Sequence, residues 1–190
     1  MTLTPPSATK KPVWTTPLTW CAVIAAAMLL AVATPRELGV LGRLPVAVGQ
    51  TLDTKHAAIA PGDARFLALV TFHRDQRKDA DSWISGLQLH HDRSISWVRM
   101  PVFNDPGDAA QREAFERRMM ARYTSDQERR HLVPVITDRA AFVQSVGLDG
   151  TGSAYVLVIN RNGEVLARVA GEFDQTKAET LRDTLFMREL

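Results

Sequence analysis

Cysteine is almost absent: the chain of 190 residues holds one, Cys21, inside an apolar run near the N-terminus. Everything after it is free of thiols, so the folded part can form neither a disulfide nor a dithiol centre. A glycine-rich phosphate cradle is missing too, and the folded region carries no nucleotide, metalloprotease or glycosylation motif. Neither sign of charge dominates, since 23 Lys and Arg oppose 21 Asp and Glu. Residues 1–35 contribute Lys10 and Lys11 and no acid. The remainder therefore balances its charges, and the basic stripe that nucleic acid requires is not expected. What is present is apolar: 45% of residues are hydrophobic, enough for one domain with a core, plus an appendage.

The appendage is N-terminal. Residues 1–16 are rich in Thr, Pro and Lys and read as a disordered tail. Leu18 to Ala33 is then apolar apart from Thr19, reaching about 24 Å as a helix against a hydrocarbon core of ~30 Å. Residues 17–34 thus read as an uncleaved signal anchor, with Lys10 and Lys11 in the cytoplasm and Trp14 and Trp20 near the headgroups. The competing reading is a signal peptide cleaved after Ala33, because Ala31-Val32-Ala33 is a small-x-small site. Either reading puts the folded domain outside the cytoplasm, on the periplasmic side in a bacterium. Cys21 comes too early in the run for a lipoprotein and reads as a small membrane residue.

Residues 35–65 read as a linker with lead-in strands, Leu44 to Gly49 forming a short extended edge where Pro45 is tolerated. Residues 66–190 read as the folded domain. Phe66 to Phe72 is a continuous apolar strand, suited to burial on both faces. A polar loop follows, then a helix from Ala80 to His90 that places Ala80, Trp83, Ile84 and Leu87 on one face. Asp79 or Asp81 is its expected cap. Ile95 to Phe103 is a second strand, ended by Asn104-Asp105-Pro106-Gly107. Asp108 to Arg130 reads as one long helix with Ala110, Ala114, Phe115, Met119 and Tyr123 inward. Its outer face interleaves Arg112, Arg117, Arg118, Arg122, Arg129 and Arg130 with Glu113, Glu116 and Glu128, a solvated face with i,i+4 pairs or a contact for anionic lipid or an acidic partner.

In the last third, Leu132 to Ile136 is a strand, and Asp138 caps a short helix through Val146 that Gly147 closes. Ser153 to Asn160 and Glu164 to Val169 flank Arg161-Asn162-Gly163, and Asn-Gly between two strand-like runs predicts a hairpin. Asp174 caps a final helix with Ala178, Leu181 and Leu185 inward. Parallel βαβ units closed by a hairpin and a helix make an α/β three-layer domain.

Loops at the carboxyl ends of central strands are where open α/β sheets place ligands. That singles out His73, Arg74, Asp75, Arg77 and Lys78. His73 with Asp75 could act as a general base, but no Ser, Thr or Cys nucleophile is spaced to accompany them. His73, His90, His91 and His131 supply imidazoles for a metal without the thiolates that copper sites favour. On a helix, His90 and His91 would point apart.

The strand–loop–helix at Phe66 and the terminal stretch VLVINRNGEVLARVAG before a capped helix resemble the thioredoxin-like fold over roughly Leu44 to Leu190. In thioredoxins the loop after the first core strand bears Cys-x-x-Cys. Arg74 to Ala80 has no cysteine, so dithiol exchange lacks its nucleophile. The stretch Asp149 to Ala154 likewise has no proline where that fold carries a cis-proline. Phe72-His73-Arg74-Asp75 followed by Ser82-Trp83, the inserted charged helix, and Gly152 to Tyr155 leading into the hairpin are similar to a cysteine-free relative. This is the assembly-factor family that helps build the membrane sector of mitochondrial ATP synthase. The resemblance implies a membrane-associated scaffold. The expectation is a non-redox, membrane-tethered module that binds a protein partner through His73 to Lys78 and assists assembly of an envelope complex. It needs no cofactor or metal and takes no nucleic acid or identified small molecule. The alternative is a histidine-based enzyme or metal carrier centred on His73 and Asp75.

Overall fold

Alternation along one buried strand divides the core into two. The computed structural model describes residues 39–46, 48, 65–123 and 125–187. In strand β2 (Arg65–Thr71), Phe66, Ala68 and Val70 join one buried cluster while Leu67 and Leu69 join another. Successive side chains of a strand point to opposite faces, so each face of β2 needs its own cover.

Around β2 the sheet comprises β1 (Gly42–Arg43), β3 (Trp97–Asn104), β4 (Val135–Thr137), β5 (Tyr155–Asn160) and β6 (Glu164–Ala170), in the order β1-β6-β5-β2-β3-β4. β3 runs parallel to both β2 and β4, whereas β5 is antiparallel to β2 and β6. Two parallel strands at the centre and a hairpin returning beside the first are the thioredoxin-like arrangement. Helix α1 (Arg77–Gly86) makes the crossover from β2 to β3. Helices α2 (Ala109–Met120) and α3 (Asp126–Arg130) lie between β3 and β4, α4 (Arg139–Ser145) between β4 and β5, and α5 (Gln175–Phe186) ends the fold.

Phe142 and Val146 from α4 and its end cover the Phe66 face. Trp83 and Ile84 of α1, with Ala178, Leu181 and Leu185 of α5, cover the Leu67 face. Trp83 is fully buried. Its indole N–H donates to the carbonyl of Gly171 at 2.9 Å, and its ring meets Phe173 edge-on at 5.2 Å. A buried tryptophan needs such a partner for its one donor.

Pro101 lies inside β3, where a missing N–H ought to break a ladder. The backbone N–H and carbonyl of Arg99 bond to His131 and Val133 on the β4 side. Pro101, two residues on, turns its nitrogen the same way. That side is irregular between the Arg99–Leu132 bridge and the Val102–Val135 pair, so no regular ladder is interrupted.

Four expectations are corrected. The edge strand is Gly42–Arg43 and not Leu44 to Gly49, because Pro45 begins a turn in which the Val48 N–H bonds its carbonyl at 2.9 Å. Helix α1 begins at Arg77, with Gln76 at the cap position, so neither Asp79 nor Asp81 caps it. It ends at Gly86 because Gln88 adopts φ 53°, a left-handed conformation that stops an α-helix. His90 and His91 therefore sit in a turn. The expected long helix from Asp108 to Arg130 is two: Asp108 caps α2, and Ser125 restarts the chain as α3 by accepting from the Glu128 N–H at 3.1 Å. The expected tail 1–16 and membrane segment 17–34 lie outside the described residues. Among the described residues, no helix is long and apolar enough to cross a membrane.

Candidate functional site

The loop after β2 is held from within by one side chain. Gln76 is 4% exposed. Its amide oxygen accepts from the Phe72 N–H at 2.8 Å and the His73 N–H at 3.3 Å, and its nitrogen donates to the Thr151 carbonyl at 2.7 Å. The loop that in thioredoxins bears the reactive pair is thus fastened to the loop preceding β5. Arg139, first residue of α4, closes the neighbouring strand ends. Its guanidinium donates to the carbonyls of Phe72 at 2.9 Å and Val102 at 3.2 Å.

Beside this loop, a cleft of about 220 Å³ opens between α1 and α2. Its floor comes from one face of the sheet. Leu69 and Thr71 of β2 lie opposite Arg99 and Pro101 of β3, and Phe103 continues the same row. Ala80 of α1 and Met119 of α2 are the apolar side walls. Phe115 holds α2 above the end of β3 by meeting Phe103 edge-on at 4.6 Å. Tyr123, just past α2, completes the wall.

The polar lining is cationic: Arg74, Arg77, Arg99 and Arg122 border the cleft together with His73, and no Asp or Glu among the described residues lines it. Two of the four guanidinium groups are engaged. Arg99 is ion-paired with Asp81. Arg77 lies 3.4 Å from Glu128 and 3.9 Å from Asp81, and over the Tyr123 ring at 5.5 Å. Arg74 and Arg122 are exposed and have no partner among the described residues.

Of the loop residues singled out from sequence, His73, Arg74 and Arg77 line the cleft, while Asp75 and Lys78 are exposed outside it. No hydrogen bond joins His73 to Asp75, so the general-base pair is not assembled. His90 and His131 gather elsewhere. His131 stacks flat on Trp97 at 3.9 Å, and His90 stands edge-on to both rings, 5.3 Å from Trp97 and 6.5 Å from His131. Burial pushes the His131 imidazole below its usual value, its bond to the Trp97 carbonyl pulls the other way, and the charges of His90, Arg99 and Arg130 lower it further. Among the described residues, no group of three or more His, Cys, Asp or Glu is arranged to hold a metal.

Sequence reasoning missed Arg99, Arg122 and Gln76. Arg99 was detectable as the one charge inside ISWVRMPVF. Arg122 was counted with a solvated helix face that in fact ends at Met120. Nothing local marks Gln76.

No protein-family model matches the chain, and no curated protein matches it. Among solved structures it is similar to BsSco, a member of the Sco family of cytochrome c oxidase assembly proteins in which a disulfide switch was identified. The superposition has a TM-score of 0.40 and 11% identity over 63% of this chain and 77% of that one. At that level nothing about activity passes from BsSco to this chain.

Proposed function

We propose that this domain is a protein-docking module whose working face is the cleft between α1 and α2. One observation carries the reading: Arg74 and Arg122, without ion-pair partners among the described residues, stand with the paired Arg77 and Arg99 at a largely apolar cleft that no described Asp or Glu lines. Such a surface has unfilled demand for negative charge, and complementary charge steers and selects partners. The loop bears no thiol, so the module works by binding and not by dithiol exchange. Residues 17–34 tether it to a membrane or direct it across one, with the domain outside the cytoplasm. Its task is to hold a component of an envelope complex during assembly.

The test is capture of partners by the full chain from gently solubilised membranes. Wild type is compared with an Arg74→Ala/Arg122→Ala variant and with an Arg117→Ala/Arg118→Ala control on the exposed side of α2. Capture by wild type and control, lost in the cleft variant at unchanged melting temperature, is the expected result. Equal capture by all three refutes docking through this cleft, and capture of nothing refutes the assembly reading.

A further inference from the structure

Size and chemistry together specify what the cleft holds. The cleft measures about 220 Å³. Small-molecule and cofactor pockets start at about 300 Å³. A single side chain fits such a space. The floor favours an apolar side chain, because Leu69, Pro101, Phe103 and Met119 offer hydrocarbon, with Tyr123 at the wall. A bare anion such as phosphate would leave that floor wet.

The rim adds a second demand. Arg99 and Arg77 already face Asp81 and Glu128, whereas Arg74 and Arg122 are exposed and without a described partner. A guanidinium is a planar fork whose donors match a carboxylate in two parallel bonds. Two such forks at the edge of a one-residue apolar slot describe a linear recognition site.

Resting on the docking reading above, we infer that the cleft binds an acidic linear segment of a partner protein. One large apolar residue fills the slot, and Asp or Glu on either side of it pairs with Arg74 and Arg122. The apolar anchor supplies residence and the carboxylates supply encounter and register, the division of labour seen between buried anchors and polar rims at interfaces.

The experiment uses the full chain in detergent and a fluorescein-labelled peptide, Glu-Asp-Phe-Glu-Asp, read by anisotropy. Saturable binding is expected, weakened by about tenfold in Arg122→Glu and in Arg74→Glu, since each removes a charge-assisted contact. It should weaken with added salt, and replacing the peptide's Phe by Ser should abolish it. Arg117→Glu should bind as wild type does, and thermal melts of each variant, with Arg122→Ala as a milder second substitution, separate lost binding from lost folding. Binding indifferent to the Phe-to-Ser change, or weakened equally by Arg117→Glu, overturns the proposal in favour of unspecific charge attraction. Vesicles rich in phosphatidylglycerol binding where the peptide does not would overturn it in favour of a lipid surface. If the peptide fails while the cleft variant still loses its membrane partner, docking stands and the acidic-anchor motif falls. If the peptide binds as described and no partner is captured, the motif stands and the assembly reading falls.

Discussion

The side-chain nitrogen of Gln76 donates to the carbonyl of Thr151 at 2.7 Å, joining loops 75 residues apart in sequence. The same amide accepts from the N–H groups of Phe72 and His73, so one buried polar group satisfies three backbone groups. Replacing it by Leu keeps the volume and removes every partner. Because unsatisfied buried groups cost about 1–3 kcal/mol, Gln76→Leu should destabilise the fold by about that amount in urea unfolding. It should also raise amide exchange at Phe72 and His73 ahead of β2. Wild-type exchange at those two amides would show that Gln76 does not order the loop.

Arg65 makes the corresponding connection at the other end of β2. It is 6% exposed, and one guanidinium nitrogen donates to the carbonyls of Thr184 at 2.6 Å and Met187 at 2.7 Å. The last carbonyls of a helix have no intrahelical partner, and positive charge suits that end of the dipole. Arg65→Met should cost about 3 kcal/mol, in line with hydrogen bonds from charged donors, and should fray α5 from Leu185 backwards. Helical exchange protection that is unchanged at Leu185 would contradict this.

Glycine is required at position 42 for a steric reason. A Cβ there would sit 2.4 Å from the carbonyl carbon of Val146 and 2.7 Å from its oxygen, and backbone cannot swing aside. Gly42→Ala should push β1 away from β6, breaking the bonds from Leu41 N–H to Val165 and from Leu44 N–H to Gly163, at 2.8 and 2.7 Å. Overpacking of this kind costs about 1–3 kcal/mol. A variant as stable as wild type, with the Leu44 amide still protected, would show that α4 yields instead.

The segments legible in the sequence were those whose signal is local. The continuous buried run Phe66 to Val70, the Asn162-Gly163 turn, and the caps Asp138 and Asp174 each depend on residues within a few positions of one another, and each is found where expected. Ser125-Asp126-Gln127-Glu128 was equally local, a Ser-x-x-Glu helix start, but it lay hidden in a run of charged residues that all favour helix. The cleft was illegible because its lining comes from β2, β3, α1 and the end of α2. Only the parallel register that sets Leu69 beside Arg99 brings those residues together. The His73 loop, singled out on topological grounds, borders the cleft, yet Asp75 and Lys78 lie outside it while Arg99 and Arg122 line it.

His131 gives the fold a pH dependence of predictable sign. Burial against Trp97 lowers its affinity for a proton, and His90, Arg99 and Arg130 add to that. The unfolded chain, with an imidazole near 6.5, therefore takes up a proton before the folded one does. Stability from this group is complete above about pH 6.5 and is lost as pH falls from there through the lower folded value. Asp105, Glu164 and Asp92, all held below the usual carboxylate range by hydrogen bonds, lose their contributions only at more acid pH. His131→Asn keeps a donor for the Trp97 carbonyl, which lies 2.9 Å from Nδ1, and removes the titrating ring. It should be less stable than wild type at about pH 7.5, where the stacking is lost, yet lose less further stability on going to about pH 5.5. Urea unfolding at both values measures the slope. An identical slope in the two proteins would mean that His131 does not carry the acid sensitivity.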